Sequence, residues 1–280
     1  MRFTVLGAGS IGSRHIRNLI ELGVAATDIT AIDPRQDALD ALPVTGKREA
    51  EYDDVRAAEA LLICTPAGLH RDDLATAIVE QIPFFVEKPA VLRVADLPDG
   101  LCTAANRIPH LVACNMRFRP EVSAVLEFAL TVPHARAAFT IQTDMTRWPG
   151  EYGHELFECC HEIDLAMQSL GGGPVTVDEA SNKFQWLLRL ENAHGRVALV
   201  SINAQHKGVA FRAGAAGTKE TTLKYEWHDR PPDVNDMYEA EMMHFLAVLR
   251  GTSPIHTLAD ARDVVQVCET AVEMAGEQDG

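Results

Sequence analysis

The chain has 280 residues, with 40 acidic and 25 basic side chains and a formal net charge of −15. This acidic excess argues against a protein that binds nucleic acid or an anionic membrane surface. No stretch is long and apolar enough to span a membrane, and residues 1–12 have the pattern of a strand and a loop instead of a secretion signal. The six cysteines include no Cys-x-x-Cys pair, which predicts reduced thiols in a cytoplasmic protein and neither disulfides nor a zinc site.

The chain opens with a short apolar strand that runs directly into a glycine-rich motif at residues 7–12, followed by a helical pattern. Gly7 permits a tight turn, Gly9 lets a pyrophosphate approach the backbone, and Gly12 allows the helix to pack closely on the strand. The start of the helix supplies free N–H groups and the positive end of the helix dipole. Strand, loop and helix together predict a dinucleotide-binding site.

A second predicted strand, residues 29–32, ends in Asp33, about 20 residues after the last glycine of the motif. At this position an acidic side chain accepts hydrogen bonds from an adenosine ribose. A carboxylate repels a 2′-phosphate, so Asp33 favours NAD over NADP, whereas the nearby Arg35 is a residue type that accepts that phosphate. Arg35 is equally explained as a solvated arginine before the next helix, and both interpretations stay open at this point.

Three later apolar runs each end in residues that can carry chemistry. Residues 61–64 lead to Cys64, Thr65, Pro66 and His70, residues 84–86 to Glu87, Lys88 and Pro89, and residues 111–114 to Asn115 and Arg117. Short apolar runs between turn signals predict strands buried on both faces, as in a parallel sheet covered by helices. Because ligands bind at the carboxyl ends of such strands, we expect these residues to surround one ligand and the protein to be an enzyme.

The pattern changes after about residue 116, where polar-interrupted strands follow one another with few helices between them. Such a succession predicts an antiparallel sheet. The predicted fold class is α/β: a Rossmann domain with a doubly wound parallel sheet over residues 1–116, then a substrate-binding and oligomerisation α+β domain with a mostly antiparallel open sheet over residues 117–280. A predicted helix over residues 155–170 carries an apolar stripe and places His161 on the flank beside it.

Six pieces of the sequence now stand in one order. They are the glycine motif at 7–12, Asp33, Cys64-Thr65-Pro66 with His70, Glu87-Lys88-Pro89, Asn115-Met116-Arg117-Phe118, and His161-Glu162-Ile163-Asp164. Together they resemble the Gfo/Idh/MocA family of dehydrogenases, named for glucose–fructose oxidoreductase and inositol dehydrogenase.

The resemblance implies an NAD(P)-dependent oxidoreductase that transfers a hydride between nicotinamide and a hydroxyl-bearing carbon of a sugar, cyclitol or nucleotide sugar. It implies that Lys88, joined to Pro89 by a cis peptide bond, is the active-site lysine, and an ammonium can stabilise negative charge developing on a substrate oxygen. His161 is implied to exchange a proton with the substrate hydroxyl, while Asp164 orients the ring or touches substrate. A homo-oligomer, dimer or tetramer, is also implied.

The predicted site residues form two groups. Those expected to contact the cofactor, NAD, are Gly7, Gly9, Ser10, Ile11, Gly12, Asp33, Arg35, Cys64, Thr65, Pro66, His70, Glu87, Lys88 and Asn115. Those expected to contact substrate are Lys88, Arg117, Arg147, Trp148, Glu158 and His161. Arg117 and Arg147 are residue types that hold a carboxylate or a phosphate.

The sequence departs from a common family pattern at Phe157, where many members have an aspartate four residues before the histidine. Glu158 instead resembles members with the motif Glu-x-x-His-Glu-Ile-Asp, which are associated with amino-sugar and surface-glycan biosynthesis. Arg147 and Trp148 resemble a shortened form of the tryptophan-containing loop in the same members.

Three alternatives stay open. His154, Glu158 and His161 have the helical spacing of a metal site, although the Rossmann context accounts for His161 without a metal and none is expected. Some relatives use NAD transiently in an elimination or an epimerisation, with no net redox change. A non-catalytic NAD(H)-binding sensor or scaffold is the alternative outside enzymology, because a fold does not fix a function.

Overall fold

The chain divides into two compact units. A computed structural model describes residues 1–47, 55–131, 135–142, 155–173, 175–181, 185–203, 208–215, 221–225 and 234–278. The first unit comprises Met1–Asn115 and Asn235–Ala259, and the second comprises Met116–Val234 and Asp260–Gly280. The chain therefore leaves the first unit next to the predicted boundary at residue 116, and it returns to that unit late in the sequence.

The first unit is built on a parallel sheet of six described strands in the order β3-β2-β1-β4-β5-β6. These strands are β1 (Phe3–Leu6), β2 (Ile29–Ile32), β3 (Thr45–Lys47), β4 (Ala60–Ile63), β5 (Phe84–Val86) and β6 (His110–Val112). The helices are α1 (Ser10–Glu21), α2 (Gln36–Asp40), α3 (His70–Val79) and α4 (Asp99–Ala105), with 3-10 helices at Ala26–Asp28 and Val94–Asp96. This strand order is that of a doubly wound Rossmann fold.

Apolar sequence explains the central strands. Every residue of β1, β4, β5 and β6 is buried, as expected for strands with helices on both faces. Helix α1 buries a stripe that includes Ile16 and Leu19 and stops before Gly23, which has a φ of +94°. A left-handed glycine directly after a helix is a common way to end it.

The second unit contains a mostly antiparallel sheet of six described strands in the order β12-β11-β7-β10-β9-β8. They are β7 (Ala135–Gln142), β8 (Val175–Ser181), β9 (Gln185–Asn192), β10 (Val197–Asn203), β11 (Gly208–Ala215) and β12 (Thr221–Tyr225), and only β7 with β10 pairs in parallel. Helices α5 (Pro120–Thr131) and α6 (Cys160–Ser169) pack on strands of this sheet. The predicted fold class, a Rossmann sheet followed by an α+β unit, is confirmed.

Two late helices complete the described chain, α7 (Val234–Val248) and α8 (Leu258–Gln278). Met242 and Phe245 of α7 are fully buried in the core of the first unit, with Phe3 and Phe85. This burial explains why residues 235–259 belong to the first unit, whereas the sequence assigned all of 117–280 to the second.

Two helical segments include a 3-10 portion. Val94–Asp96 is a 3-10 helix that precedes α4, and Pro98 takes the extended cap conformation between them. The helix predicted over 155–170 begins as a 3-10 helix at Glu155–Cys159 and becomes α-helical only at Cys160. Within the described segments, no helix combines the length and the apolar character needed to cross a membrane.

Candidate active site

The carboxyl edge of the first sheet gathers most of the predicted residues. The first residue after each of four strands donates its backbone N–H to a carbonyl oxygen at the end of the neighbouring strand. The donor–acceptor pairs are Gly7–Ile32 (2.8 Å), Cys64–Leu6 (2.7 Å), Glu87–Ile63 (2.9 Å) and Ala113–Val86 (2.8 Å). The loops that follow β1, β4, β5 and β6 therefore start from one edge in fixed register. Ligands of open α/β sheets bind at this edge, close to the point where the strand order reverses between β1 and β4.

The glycine motif has the close approaches that its residue types predicted. Gly7 has a φ of +90°, and a Cβ added there would lie 2.4 Å from the Cys64 carbonyl oxygen. A Cβ on Gly12 would lie 1.9 Å from the Gly7 carbonyl oxygen, so the start of α1 packs directly on the loop. At Gly9, by contrast, the nearest atom to an added Cβ is an Arg35 nitrogen at 3.5 Å.

The start of α1 fits an anionic ligand. Gly9 is the N-cap residue and provides no side-chain cap, so the first N–H groups of α1 point away from the helix without a capping side chain. Ser10 is exposed and Ile11 is half-buried at this end. Free N–H groups and the helix dipole together stabilise a phosphate, and the missing Cβ of Gly9 leaves room for one. The residues present therefore fit the pyrophosphate of a dinucleotide.

Asp33 lies at the end of β2 with its carboxylate held by two partners. It accepts a hydrogen bond from the Ala8 N–H at 2.9 Å, and bonds from the Arg35 side chain at 3.1 Å. Burial alone would raise the pKa of Asp33, but the hydrogen bonds from Arg35 and Ala8 outweigh it and lower the pKa below its usual value. Asp33 is therefore a buried, ionised acceptor beside the glycine loop, and Arg35 partly screens its charge from solvent.

His70 joins the loops that follow β4 and β5. Its side chain is 1% exposed, and its two ring nitrogens lie 2.7 Å from the Thr65 carbonyl oxygen and 3.0 Å from the Pro89 carbonyl oxygen. Thr65 also donates from its hydroxyl group to Asp73 at 2.6 Å. Burial lowers the pKa of His70, and its hydrogen bonds only partly offset that effect. Because both ring nitrogens face backbone carbonyl groups, the ring supports the two loops. Of the other predicted residues in the loop after β4, Cys64 is buried and Pro66 is exposed.

Lys88 follows β5 and lies between Glu87, which contacts His15, and Pro89, which contacts His70. The Lys88–Pro89 peptide bond is cis, as the resemblance implied. The Lys88 N–H donates to one oxygen of Glu87 at 3.1 Å, and the other oxygen of Glu87 lies 2.7 Å from Nε2 of His15 on α1. Burial raises the pKa of Glu87, but the His15 hydrogen bond and the charges of His15 and Lys88 lower it below its usual value.

Sequence reasoning missed two residues of this network, His15 and Glu241. Glu241 on α7 is fully buried, accepts a hydrogen bond from the Cys114 N–H at 2.6 Å, and lies with His15 and Glu87 in a group whose potential metal-ligating atoms are within 4.8 Å of one another. Burial and the Glu87 charge raise the pKa of Glu241 well above its usual value, which favours its neutral form. A polar residue on the buried stripe of α1 was the available signal for His15.

Asn115, which follows β6, has a buried side-chain oxygen whose hydrogen-bonding capacity is unused among the described residues. Its side chain is 5% exposed, and its Oδ1 has no hydrogen-bond partner among the described residues. A buried amide oxygen without a partner is costly, and a ligand donor would remove that cost. This observation agrees with the predicted role of Asn115 in cofactor binding.

The second unit contains the remaining predicted residues. His161 is the second residue of α6 and is half-buried. Asp164, one turn later, is buried and forms a bidentate ion pair with Arg117, with Nε of Arg117 2.8 Å from Oδ2. The sequence predicted separate roles for these two residues. Asp164 was expected to orient His161 or touch substrate, and Arg117 was expected to bind an anionic group of the substrate. In the structure the two side chains bind each other.

Several predicted residues lie outside the part that the structure describes. They are Arg147, Trp148 and His154, together with the side chain of Glu158. His154 of the metal alternative therefore cannot be placed, and between Glu158 and His161 the 3-10 helix of Glu155–Cys159 changes to α6 at Cys160. Phe157, where the common family pattern has an aspartate, is buried.

The fold and the carboxyl edge define a dinucleotide-binding Rossmann protein, and comparison with known proteins agrees. Residues 1–112 match the sequence profile of the Gfo/Idh/MocA group, described as an oxidoreductase family with an NAD-binding Rossmann fold. The predicted resemblance to this family is confirmed over residues 1–112, and the description of the matched family agrees with the predicted cofactor, NAD.

Individual relatives agree with this match in sequence and with the fold in structure. The chain is 36% identical over 96 residues to an inositol 2-dehydrogenase from Renibacterium salmoninarum, a match that spans 32% of this chain and 28% of that relative. Two solved structures share the fold over 99% of this chain. GenD2 from gentamicin A biosynthesis, in complex with NAD, has a TM-score of 0.84 at 17% identity over 95% of its chain. The scyllo-inositol dehydrogenase from Lactobacillus casei, with bound NAD(H) and scyllo-inositol, has a TM-score of 0.78 at 14% identity over 97% of its chain.

The Asp33 carboxylate should control nucleotide affinity. We expect Asp33→Ala to raise the Kd for NAD about 10- to 100-fold, because a hydrogen bond to a charged group contributes about 1.5–3 kcal/mol. The same substitution should weaken the binding of NADP less than that of NAD, so the preference for NAD over NADP becomes smaller. Calorimetric titration with both nucleotides measures this, and Asp37→Ala, an exposed acid on α2, is the matched control. Unchanged NAD affinity in Asp33→Ala would contradict the assignment.

The Arg117–Asp164 pair should contribute strongly to stability. Their side chains are 8% and 3% exposed, so Asp164→Ala leaves a buried guanidinium without its carboxylate. We expect the free energy of unfolding to fall by about 3–5 kcal/mol. The double variant Arg117→Met/Asp164→Leu should lose less unfolding free energy than Asp164→Ala alone, because it leaves no buried charge without its partner. Arg93→Ala, which removes an exposed arginine paired with Asp96, should cost less than about 1 kcal/mol in the same urea titration.

His70 should make stability depend on pH in mild acid. Because its folded-state pKa lies below the usual 6.5, the unfolded chain binds more protons between the two values. The His70 contribution is therefore fully present above pH 6.5 and is lost as the pH falls toward the folded-state pKa. We expect the free energy of unfolding to rise from pH 5 to pH 7 less steeply in His70→Asn than in wild type, by up to about 1.4 kcal/mol per pH unit. Parallel slopes would contradict the lowered pKa.

Proposed function

We propose that the protein is an NAD-dependent dehydrogenase that acts on a hydroxyl-bearing carbon of a polyol. The observation that carries the proposal is the position of Lys88, which follows β5 on the same sheet edge as the glycine loop that follows β1. When NAD is bound, its nicotinamide supplies the hydride acceptor. The match of residues 1–112 to an NAD-binding oxidoreductase family supports the same reaction class.

In this proposal the protein handles the proton of the substrate hydroxyl. The Lys88 ammonium donates a hydrogen bond to the substrate oxygen and stabilises negative charge that develops on it. His161, half-buried near the start of α6, exchanges the hydroxyl proton, because an imidazole can hold or release a proton near neutral pH. Asp164, one turn after His161 on the same helix, forms an ion pair with Arg117.

A neutral cyclitol is the substrate class that the residues favour. Arg117 is already neutralised by Asp164, and a substrate carboxylate or phosphate would have to compete with a buried bidentate pair. A neutral polyol requires no such exchange. The inositol 2-dehydrogenase relative and the solved scyllo-inositol dehydrogenase are consistent with this class. We further propose a cytoplasmic homo-oligomer, as the family resemblance implies.

Turnover of cyclitols and sugars tests the proposal. We expect NADH formation from at least one inositol isomer or neutral sugar, measured by absorbance with NAD in excess. Lys88→Ala should lower kcat about 10²- to 10⁴-fold, because it removes the group that stabilises the reacting oxygen, while the Kd for NAD changes little. Arg2→Ala removes an exposed cation before β1 and is the matched control.

Two results would contradict the proposal. Full activity in Lys88→Ala would remove the lysine from the reaction. NAD that stays bound through purification, with product formed and no net NADH, would favour the transient use of NAD instead.

A further inference from the structure

We propose that His15 and His70 are positioning residues that hold the turn Glu87-Lys88-Pro89 from its two sides. The proposal rests on the role of Lys88 in the proposed function. It concerns two buried side chains that touch the neighbours of Lys88 in sequence, so they act on the lysine through those neighbours.

His15 holds the residue before Lys88. Its ring is 0% exposed on α1, and its Nε2 lies 2.7 Å from Glu87 Oε1. The second carboxylate oxygen of Glu87 accepts the Lys88 N–H at 3.1 Å, so one carboxylate connects the His15 ring to the Lys88 backbone. The ring also stands edge-on to Phe85, with centroids 4.9 Å apart, which restricts its rotation.

His70 holds the residue after Lys88. Its Nδ1 lies 3.0 Å from the Pro89 carbonyl oxygen and its Nε2 lies 2.7 Å from the Thr65 carbonyl oxygen. Both partners are acceptors, so a neutral ring donates to one of them and an imidazolium donates to both. The buried ring lies between the loops that follow β4 and β5 and contacts both of them.

Holding both neighbours restricts the backbone of Lys88 itself. The Lys88 side chain then starts from a defined point. A catalytic group displaced by about 1 Å can lose about 10²-fold in rate, so this restriction has a kinetic consequence. His15 and Glu87 are 72 residues apart in sequence, and His70 and Pro89 are 19 apart, so each contact ties the turn to a different part of the chain.

Paired substitutions separate positioning from simple packing. Glutamine places an amide nitrogen near the position of a histidine Nε2, and asparagine places one near Nδ1. His15→Gln therefore keeps a donor to Glu87, and His15→Leu removes it. His70→Asn keeps the contact to Pro89, whereas His70→Gln keeps the contact to Thr65.

The experiment measures kcat for the substrate found in the turnover screen, together with the Kd for NAD. We expect His15→Leu and His70→Gln to lower kcat about 10- to 100-fold, with NAD affinity within about threefold of wild type. His15→Gln should keep kcat within about threefold. His70→Asn, which keeps the Pro89 contact, should lower kcat less than His70→Gln does, and it should weaken NAD binding because it loses the Thr65 contact. His110→Asn is the control, since His110 is buried at the amino end of β6 and stacks on Phe84.

A readout without turnover keeps this proposal separate from the proposed function. The rate constant for acetylation of the Lys88 amine, followed by mass spectrometry, should rise at least about threefold in His15→Leu and His70→Gln, because a released turn exposes the half-buried lysine. If wild type turns over no substrate, the proposed function fails and the acetylation rates still decide the positioning role. Two results would overturn the positioning role of His15 and His70. One is an equal loss of kcat in His70→Asn and His70→Gln, and the other is a wild-type acetylation rate in folded His15→Leu and His70→Gln.

Discussion

Two close approaches of backbone at the carboxyl edge of the first sheet leave no room for a side chain, and the arrangement of the first unit depends on them. A Cβ at Gly7 would meet the Cys64 carbonyl group at 2.4 Å, and one at Gly12 would meet Gly7 at 1.9 Å. These contacts bring the loop after β1, the start of α1 and the end of β4 together. Only then can the N–H groups of α1 and the buried Asp33 carboxylate face the same region, as a dinucleotide requires.

The same edge contains buried charges whose cost has to be offset. An unpaired buried carboxylate is expensive, so Glu87 is stable as an anion only because His15 and the Lys88 N–H bind its two oxygens. Glu241, close to Glu87 and bound to a single N–H group, has its pKa raised instead. The pKa values of these two neighbouring carboxyl groups are thus shifted in opposite directions, which reduces the repulsion between two negative charges in one buried cluster. The turn that contains Lys88 is fixed as part of this arrangement.

Sequence patterns predicted the elements whose signals are local. Apolar runs located β4 and β5, and the glycine motif located the loop between β1 and α1. Strand β11 was missed because its sequence from Gly208 to Ala215 is rich in glycine and alanine and lacks clear alternation. The partners of Glu87 and Cys114 were missed for another reason: His15 and Glu241 are 72 and 127 residues away, and no local pattern encodes such contacts.

Two arginine–aspartate pairs show how burial decides what a charge can do. Arg35 is 59% exposed beside Asp33, so solvent screens the pair and the guanidinium can leave at little cost. Arg117 is 8% exposed beside Asp164, and separating them would strand two desolvated charges. The guanidinium of Arg35 can therefore turn to another anion at little cost, whereas burial holds the guanidinium of Arg117 in its ion pair. The same pair of residue types thus forms an adjustable contact beside the glycine loop and a fixed contact in the second unit.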